Sequence, residues 1–425
     1  MFGIKNLKNH PAMLDAGFAI TGNVAGAAVS GLAMIILSRT LGPEVFGVIS
    51  VGFSLMLIAA RVAEGGLVAS LLKYFPTLTS HDQERQLFWT TLLFKLFLGV
   101  SLAILLSVAS PWLAKILHIS VELVLIVAWL NLVTLVFDHL GGVTMAMLKI
   151  KFAVIANFAQ ALIKLGIAVL TIFNPLLSAS SILAAYIAAP GPVTLLYKRL
   201  LPSRIWQRPA VLPWKEIYFK IRNMAAHNWV AGISSAVLQN VDVLIVSSLL
   251  LRVEVGYIGA ATRIALLLSI VGASLAGVVN PRVAKLQDHK QLKQYWGKAT
   301  LILVGMLIVA IFVPFTSRLL LTYTTGPEYL PAAGVLSWLL VATCFSIGLT
   351  PFVALFFRYH EARYFSVAAI MQALIMCFGS YFAVQEFGMD AVGWVRVASQ
   401  AVVLVLTVGW AIMAHQREFK TLPWK

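Results

Sequence analysis

The sequence predicts an all-α, polytopic membrane protein with twelve transmembrane helices in two six-helix lobes around a central cavity. Three observations predict it: the composition, the recurrence of apolar stretches, and the placement of charge between them. Of the 425 residues, 60% are hydrophobic and only 11% charged, and the mean hydropathy is +0.91. Soluble domains are roughly 45–50% apolar and about 25% charged. A soluble chain of this size has no interior large enough for the surplus, so soluble, fibrous, disordered and disulfide-framework classes are excluded.

A membrane span needs about 20 mainly apolar residues, and the chain offers such stretches from end to end. The first, 12–38, is too long for a signal-peptide core and ends in SRTLGPE without a small-residue cleavage site, so it reads as a retained helix. The turn at Gly42-Pro43 separates it from 45–69. Spans at 87–108, 121–148, 152–174 and 178–198 follow, the middle pair parted only by Lys149 and Lys151. After a polar interval come 224–250, 255–280, 299–321, 332–357, 363–384 and 390–414. Gly65-Gly66, Gly141-Gly142, Pro190–Pro192, Pro314 and Pro351 interrupt spans. Such breaks serve helix packing or alternating access. Trp112, Trp206, Trp214, Tyr329 and Trp394, at span ends, read as interfacial belt residues.

The net charge of +16 invites a nucleic-acid reading, but its distribution argues for topology instead. With both termini in the cytoplasm, 23 of the 32 Lys and Arg fall in cytoplasmic segments and only 4 (Arg39, Lys115, Arg252, Arg318) outside. The positive-inside rule accounts for that asymmetry, and an odd helix count would spoil it. The basic run 282–298 reads first as a solvated cytoplasmic loop and second as a contact for anionic membrane lipids. The longest polar interval, 199–223, divides the chain into lobes 1–198 and 224–425. A faint repeat, Glu44-Val-Phe-Gly47 against Val253-Glu-Val-Gly256, fits two related halves, the usual build of secondary transporters. Cys344 and Cys377 have no metal or redox spacing, and no Walker A, HExxH or credible GxSxG pattern occurs. The expectation is therefore a transporter without cofactor or nucleic-acid partner, not an enzyme.

The remaining five cations, Arg61, Lys95, Lys164, Arg263 and Arg396, lie inside spans, with Glu64, Asp138 and Asp242 as the deep acids. An ionisable group at the bilayer centre costs roughly 2.5–3.5 kcal/mol, so each faces a cavity or a partner. Pairing is one reading: Arg61 with Glu64 three residues on, Asp242 with Arg263, and Asp138 with Arg61 or Lys164. Five cations against three acids still leave an excess, and a net-positive interior suits a phosphate-bearing substrate. Arg61, Lys95, Lys164 and Arg263 are the substrate-binding candidates, Lys164 and Arg61 foremost. Arg396, close to a span end, reads as a snorkelling residue. Glu64, Asp138 and Asp242 are candidates for proton or sodium coupling. His139, beside Asp138, reads as a core histidine, since adjacent helical residues point about 100° apart.

Leu37-Ser-Arg-Thr-Leu-Gly-Pro-Glu-Val-Phe-Gly47 resembles the first external turn of Wzx-type O-antigen and exopolysaccharide flippases of the MOP superfamily. Two further stretches resemble the same family in order and spacing: Asn240-Val-Asp-Val-Leu-Ile245 with Glu254-Val-Gly-Tyr257, and Gly326-Pro-Glu-Tyr-Leu-Pro-Ala-Ala333. The second-half turn Leu250-Leu-Arg-Val-Glu254 departs from the pattern by lacking Gly-Pro. The resemblance implies a twelve-helix, two-lobed flippase in the bacterial inner membrane. Its substrate would be an undecaprenyl-diphosphate-linked oligosaccharide for lipopolysaccharide or exopolysaccharide, and its partners the polymerase and chain-length proteins of that pathway. An ion-coupled multidrug exporter of the same superfamily is the first alternative, and a membrane glycan polymerase or ligase the second. The cation excess opposes the former and short external loops the latter.

Overall fold

The computed structural model describes residues 11–174, 177–283, 289–359 and 362–421. Lys5, Lys8, Lys285 and Lys425, counted above among the cytoplasmic cations, lie outside the described residues. No strand occurs among the described residues. The first helical run, α1 (Pro11–Glu64), leaves helical geometry at Gly42 (φ 70°, ψ 169°), directly before Pro43. Proline disfavours the α conformation in the residue before it, and glycine takes a positive φ without a Cβ clash. The sequence Gly-Pro therefore writes the kink locally.

Downstream come α2 (Leu67–Tyr74), α3 (His81–Ile116), α4 (Val121–Ala146), α5 (Ile150–Phe173), α6 (Ala179–Ala188), α7 (Pro190–Leu200) and α8 (Ser203–Trp206). Then follow α9 (Trp214–Leu249), α10 (Arg252–Val283), α11 (His289–Phe312), α12 (Ser317–Thr324) and α13 (Ala333–Tyr359). The chain closes with α14 (Ala362–Leu374), α15 (Ser380–Phe387) and α16 (Asp390–Thr421). Among the described residues, 11 helical stretches are long and apolar enough to cross a membrane, the first of them Thr21–Glu64 with 44 residues. At about 1.5 Å per residue that stretch is roughly twice the ~30 Å hydrocarbon thickness. The kink at Gly42 divides it, which brings the count to the expected twelve.

Helix starts are set by local chemistry. The side chains of Ser80, Ser120 and Ser178 accept the backbone N–H of Gln83, Leu123 and Ser181 at 3.2, 3.3 and 3.1 Å. Such caps satisfy donors that a helix start leaves unpaired. Pro190 opens α7 and Pro314 sits in the 3-10 turn between α11 and α12, so both break the spans that contain them.

Contacts divide the chain into two compact units: residues 1–41 with 45–240, and 42–44 with 241–425. This division falls inside α9, whereas the sequence division sits at 199–223. In the first unit the reason is packing. Ile217 and Ile221 of α9 join Leu71, Phe88, Leu140 and Tyr197 in one buried cluster. The basic interval is also tied down, because Arg204 of α8 pairs with Glu84 at 3.2 Å. The indole N–H of Trp89 donates to the carbonyls of Ile205 and Gln207, each at 3.2 Å. Helix α9 accordingly begins ten residues before the apolar run that marked it in the sequence. Trp206, read as a belt residue, turns its ring edge-on to Phe88 at 5.8 Å and packs on the same cluster.

In the second unit, α13 runs through the core, with Phe352, Leu355 and Phe356 buried beside Val283, Tyr364 and Ala411. The turn Gly42–Glu44 belongs to this unit. A Cβ on Gly256 would lie 1.9 Å from the carbonyl oxygen of Pro43, and Tyr257 meets Tyr329 at 6.0 Å. Tyr329, expected in the belt, is fully buried. Segments that carried the family resemblance thus meet at one spot.

Gly66 (φ 65°) makes the closest backbone approach of the first unit: a Cβ there would lie 2.1 Å from the carbonyl oxygen of Ala225. Gly66→Ala is expected to cost roughly 1–3 kcal/mol from its backbone conformation alone, with displacement of α9 added. Thermal melting of the purified protein reads this, against Gly166→Ala, whose added methyl meets nothing within 4 Å. Equal melting of the two variants would refute the packing assigned to Gly66.

Candidate functional site

Helices α3 and α4 approach closely at Gly99, where a Cβ would lie 2.6 Å from Leu135 and 2.8 Å from Leu132. Small residues at such crossings let membrane helices pack without a hydrophobic driving force between them. One turn back along the same face of α3 is Lys95, and one turn onward in α4 are Asp138 and His139. The contact that packs the helices therefore also turns these polar residues inward. Lys95 is 1% exposed, and its ammonium has no hydrogen-bond partner among the described residues.

Around Lys95 the first unit gathers four more intramembrane charges. Arg61 donates to Glu64 at 2.7 Å, one helical turn away, yet 54% of its side chain stays exposed. The charges of Lys95, Arg61, Glu64 and Lys164 all act on Asp138, although no direct ion pair closes on it among the described residues. The ammonium of Lys164 lies over the ring of Tyr186, 4.8 Å from its centroid, and that ring packs on Phe53 at 4.7 Å. A cation on an aromatic face gains about 0.5–2 kcal/mol and keeps its other donors for a ligand. His139 is fully buried against Phe88, with ring centroids 5.3 Å apart, as a core histidine. Arg61, Lys95 and Lys164 against Glu64 and Asp138 leave the cluster with a surplus positive charge. Chemically it can hold an anion with several acceptor oxygens.

Arg263, Asp242 and Arg396 lie in the second unit, and the expected pairing there is corrected. Fully buried Asp242 binds Arg396 of α16, not Arg263, which sits half-buried on α10. Arg396 therefore does not snorkel; its side chain is 18% exposed and held by the carboxylate. Depth along a helix can be counted from sequence, but the neighbour a helix face meets cannot. These two partners are 154 residues apart. Sequence reasoning also missed Tyr186 and Phe53. The available signal was a tyrosine in the middle of span 178–198, away from either belt.

Removing one partner of a buried ion pair costs roughly 3–5 kcal/mol, because the other charge is stranded. Asp242→Asn and Arg396→Gln are each expected to destabilise the protein on that scale. The double variant should recover part of the loss in a thermal-melting double-mutant cycle. Strict additivity would show that the two side chains do not act as a pair.

A family profile described as polysaccharide biosynthesis protein matches residues 14–287, more than half of the chain. No curated protein sequence matches it. Among solved structures, an inward-facing multidrug resistance MATE family transporter of the MOP superfamily is similar at TM-score 0.72 and 16% identity, over 93% of this chain and 96% of that one. The lipid II flippase MurJ, in an inward closed conformation, is similar at TM-score 0.71 and 12% identity, over 96% and 94%. A MOP superfamily transporter from Pyrococcus furiosus is similar at TM-score 0.55 and 15% identity, over 94% and 95%. At these identities the likeness is one of fold, and it spans essentially the whole length of each chain.

Proposed function

Because the chain belongs to the polysaccharide biosynthesis protein family, we propose that it is a flippase for undecaprenyl-diphosphate-linked oligosaccharides. It carries them across the bacterial cytoplasmic membrane by alternating access, for O-antigen or exopolysaccharide assembly. The observation that carries this reading is the Lys95 ammonium, buried and without a hydrogen-bond partner among the described residues, in a cluster where cations outnumber acids. A diphosphate supplies the missing acceptors to Lys95, Lys164 and Arg61, each through charge-assisted hydrogen bonds. The chain moves its substrate without making or breaking a covalent bond in it. Asp138 is the acid best placed for proton or sodium coupling, because every other charge of the cluster acts on it. The fold is shared with multidrug transporters, but a cationic drug would meet repulsion at this cluster.

Hydrogen bonds to charged groups contribute about 1.5–3 kcal/mol each, so Lys95→Met and Lys164→Gln are expected to lower glycan export roughly 10- to 100-fold. Arg61→Glu and Lys164→Glu are expected to abolish it. Surface glycan, scored against protein abundance in the membrane, reads the effect. Normal export by both Lys95→Met and Lys164→Gln would sink the cationic-cluster reading.

The same proposal puts both termini and the 199–223 interval on the cytoplasmic side, following the positive-inside bias. Exposed Ser203, replaced by cysteine, should react with an impermeant maleimide only after the membrane is opened. Labelling in intact cells would invert the topology.

A further inference from the structure

Helix α9 carries a polar stripe along its membrane span. Asn228, Ser235 and Gln239 are exposed there, and Gly232 falls between them. Steps of four, three and four residues keep these positions on one helix face. Val230, Ile233 and Val237 fall on the opposite side, where hydrocarbon or apolar packing suits them. An amide facing bare hydrocarbon is expensive, so an exposed polar stripe in a span borders a water-filled space.

Polar residues can also join one membrane helix to another by hydrogen bonds. These do not. The Gln239 amide donates to the Ser235 hydroxyl at 3.0 Å, and the Asn228 amide donates to the carbonyl of Met224 at 2.8 Å, so both bonds stay within α9. Each bond steadies a side chain without exhausting it, because an amide has two N–H donors and an acceptor oxygen. Among the described residues, no other helix takes up the remaining capacity.

The stripe adjoins the cationic cluster. The stem of Arg61 passes Gly232, where a Cβ would lie 4.0 Å from its Cδ. The indole N–H of Trp229 donates to the carbonyl of Val62 at 2.8 Å, which holds α9 beside Arg61. At about 1.5 Å per residue, Asn228 lies roughly 6 Å to one side of that level and Gln239 roughly 10 Å to the other. The stripe is therefore longer than a single sugar ring, and it carries no charge. Phosphate oxygens only accept hydrogen bonds and go to cations. Sugar hydroxyls both donate and accept, as neutral amides and a serine do.

We propose that Asn228, Ser235 and Gln239 are the sugar-recognising residues of this transporter, hydrogen-bonding hydroxyls of an oligosaccharide whose diphosphate is held at Arg61. The proposal rests on the flippase reading above and adds what the cluster lacks, a means of telling one glycan from another. Attraction of phosphate by cations accepts any lipid diphosphate. A site built to pair hydroxyls penalises a ligand without them, because its own polar groups then go unpaired.

Binding to the full-length protein in detergent tests this with two ligands. One is the lipid-linked oligosaccharide extracted from the cells that make it; the other is undecaprenyl diphosphate, which has the phosphates and no sugar. The unaltered protein is expected to bind the glycosylated ligand at least tenfold more tightly. The triple variant Asn228→Leu, Ser235→Ala, Gln239→Leu removes hydrogen bonds each worth a factor of roughly 2–10. It should weaken the glycosylated ligand at least tenfold and leave undecaprenyl diphosphate within twofold, which also reports an intact fold. Val230→Ala, on the opposite face, should change neither by more than twofold, and Lys95→Met should weaken both alike. Equal affinity of the unaltered protein for the two ligands, or an unchanged preference in the triple variant, would overturn the proposal and leave the flippase reading standing. A parallel loss of both ligands in the triple variant would overturn it too, since the stripe would then serve packing. Loss of preference in the triple variant with no effect of Lys95→Met would overturn the cluster's role and keep the stripe. Failure of the unaltered protein to bind either ligand would overturn both readings.

Discussion

A protonated amine facing hydrocarbon costs several kcal/mol, and the first unit is shaped by the need to avoid that at Lys95. The side chain can lie where it does because Gly99 lets α3 press against α4, bringing Asp138 to the same level and closing the apolar cluster of Phe88, Leu140 and Tyr197 behind it. Lys164 lies over the ring of Tyr186, and Arg61 pairs with Glu64 one turn along its own helix. Each cation therefore has a different kind of companion: a neighbouring acid at a distance, an aromatic face, and a direct ion pair. Only the last is electrically closed, which leaves two ammonium groups able to answer to something that arrives from outside.

The contrast with the second unit is instructive. Fully buried Asp242 and largely buried Arg396 neutralise each other, an arrangement that braces α9 against α16 and offers little to a ligand. A lone pair of opposite charges is a structural device. A cluster with an uneven count is a receptive one. The distinction lies in the arithmetic of sign, not in the depth of the residues.

That arithmetic was legible in the sequence, and so were the spans, because hydropathy and helical rise act along the chain and need no partner. The division between α4 and α5 follows from Lys149 and Lys151 alone. The pairing of Asp242 with Arg396, the inward turn of Trp206 and the burial of Tyr329 were not legible, because each depends on which faces meet across more than 70 residues of chain. The early start of α9 escaped for a different reason. Trp214–Arg222 intersperses charged residues among apolar ones, so a ruler for apolar length passes over it, although its Ile217 and Ile221 are core.

The kink at Gly42-Pro43 has a consequence in time. Its carbonyl packs against Gly256, which the ribosome delivers more than two hundred residues later. At about 5–20 residues per second, the turn waits roughly ten to forty seconds for its neighbour. Through that interval nothing distant can enforce the bend. It has to be written in the dipeptide itself, by a glycine that accepts a positive φ and a proline that forbids the straight alternative.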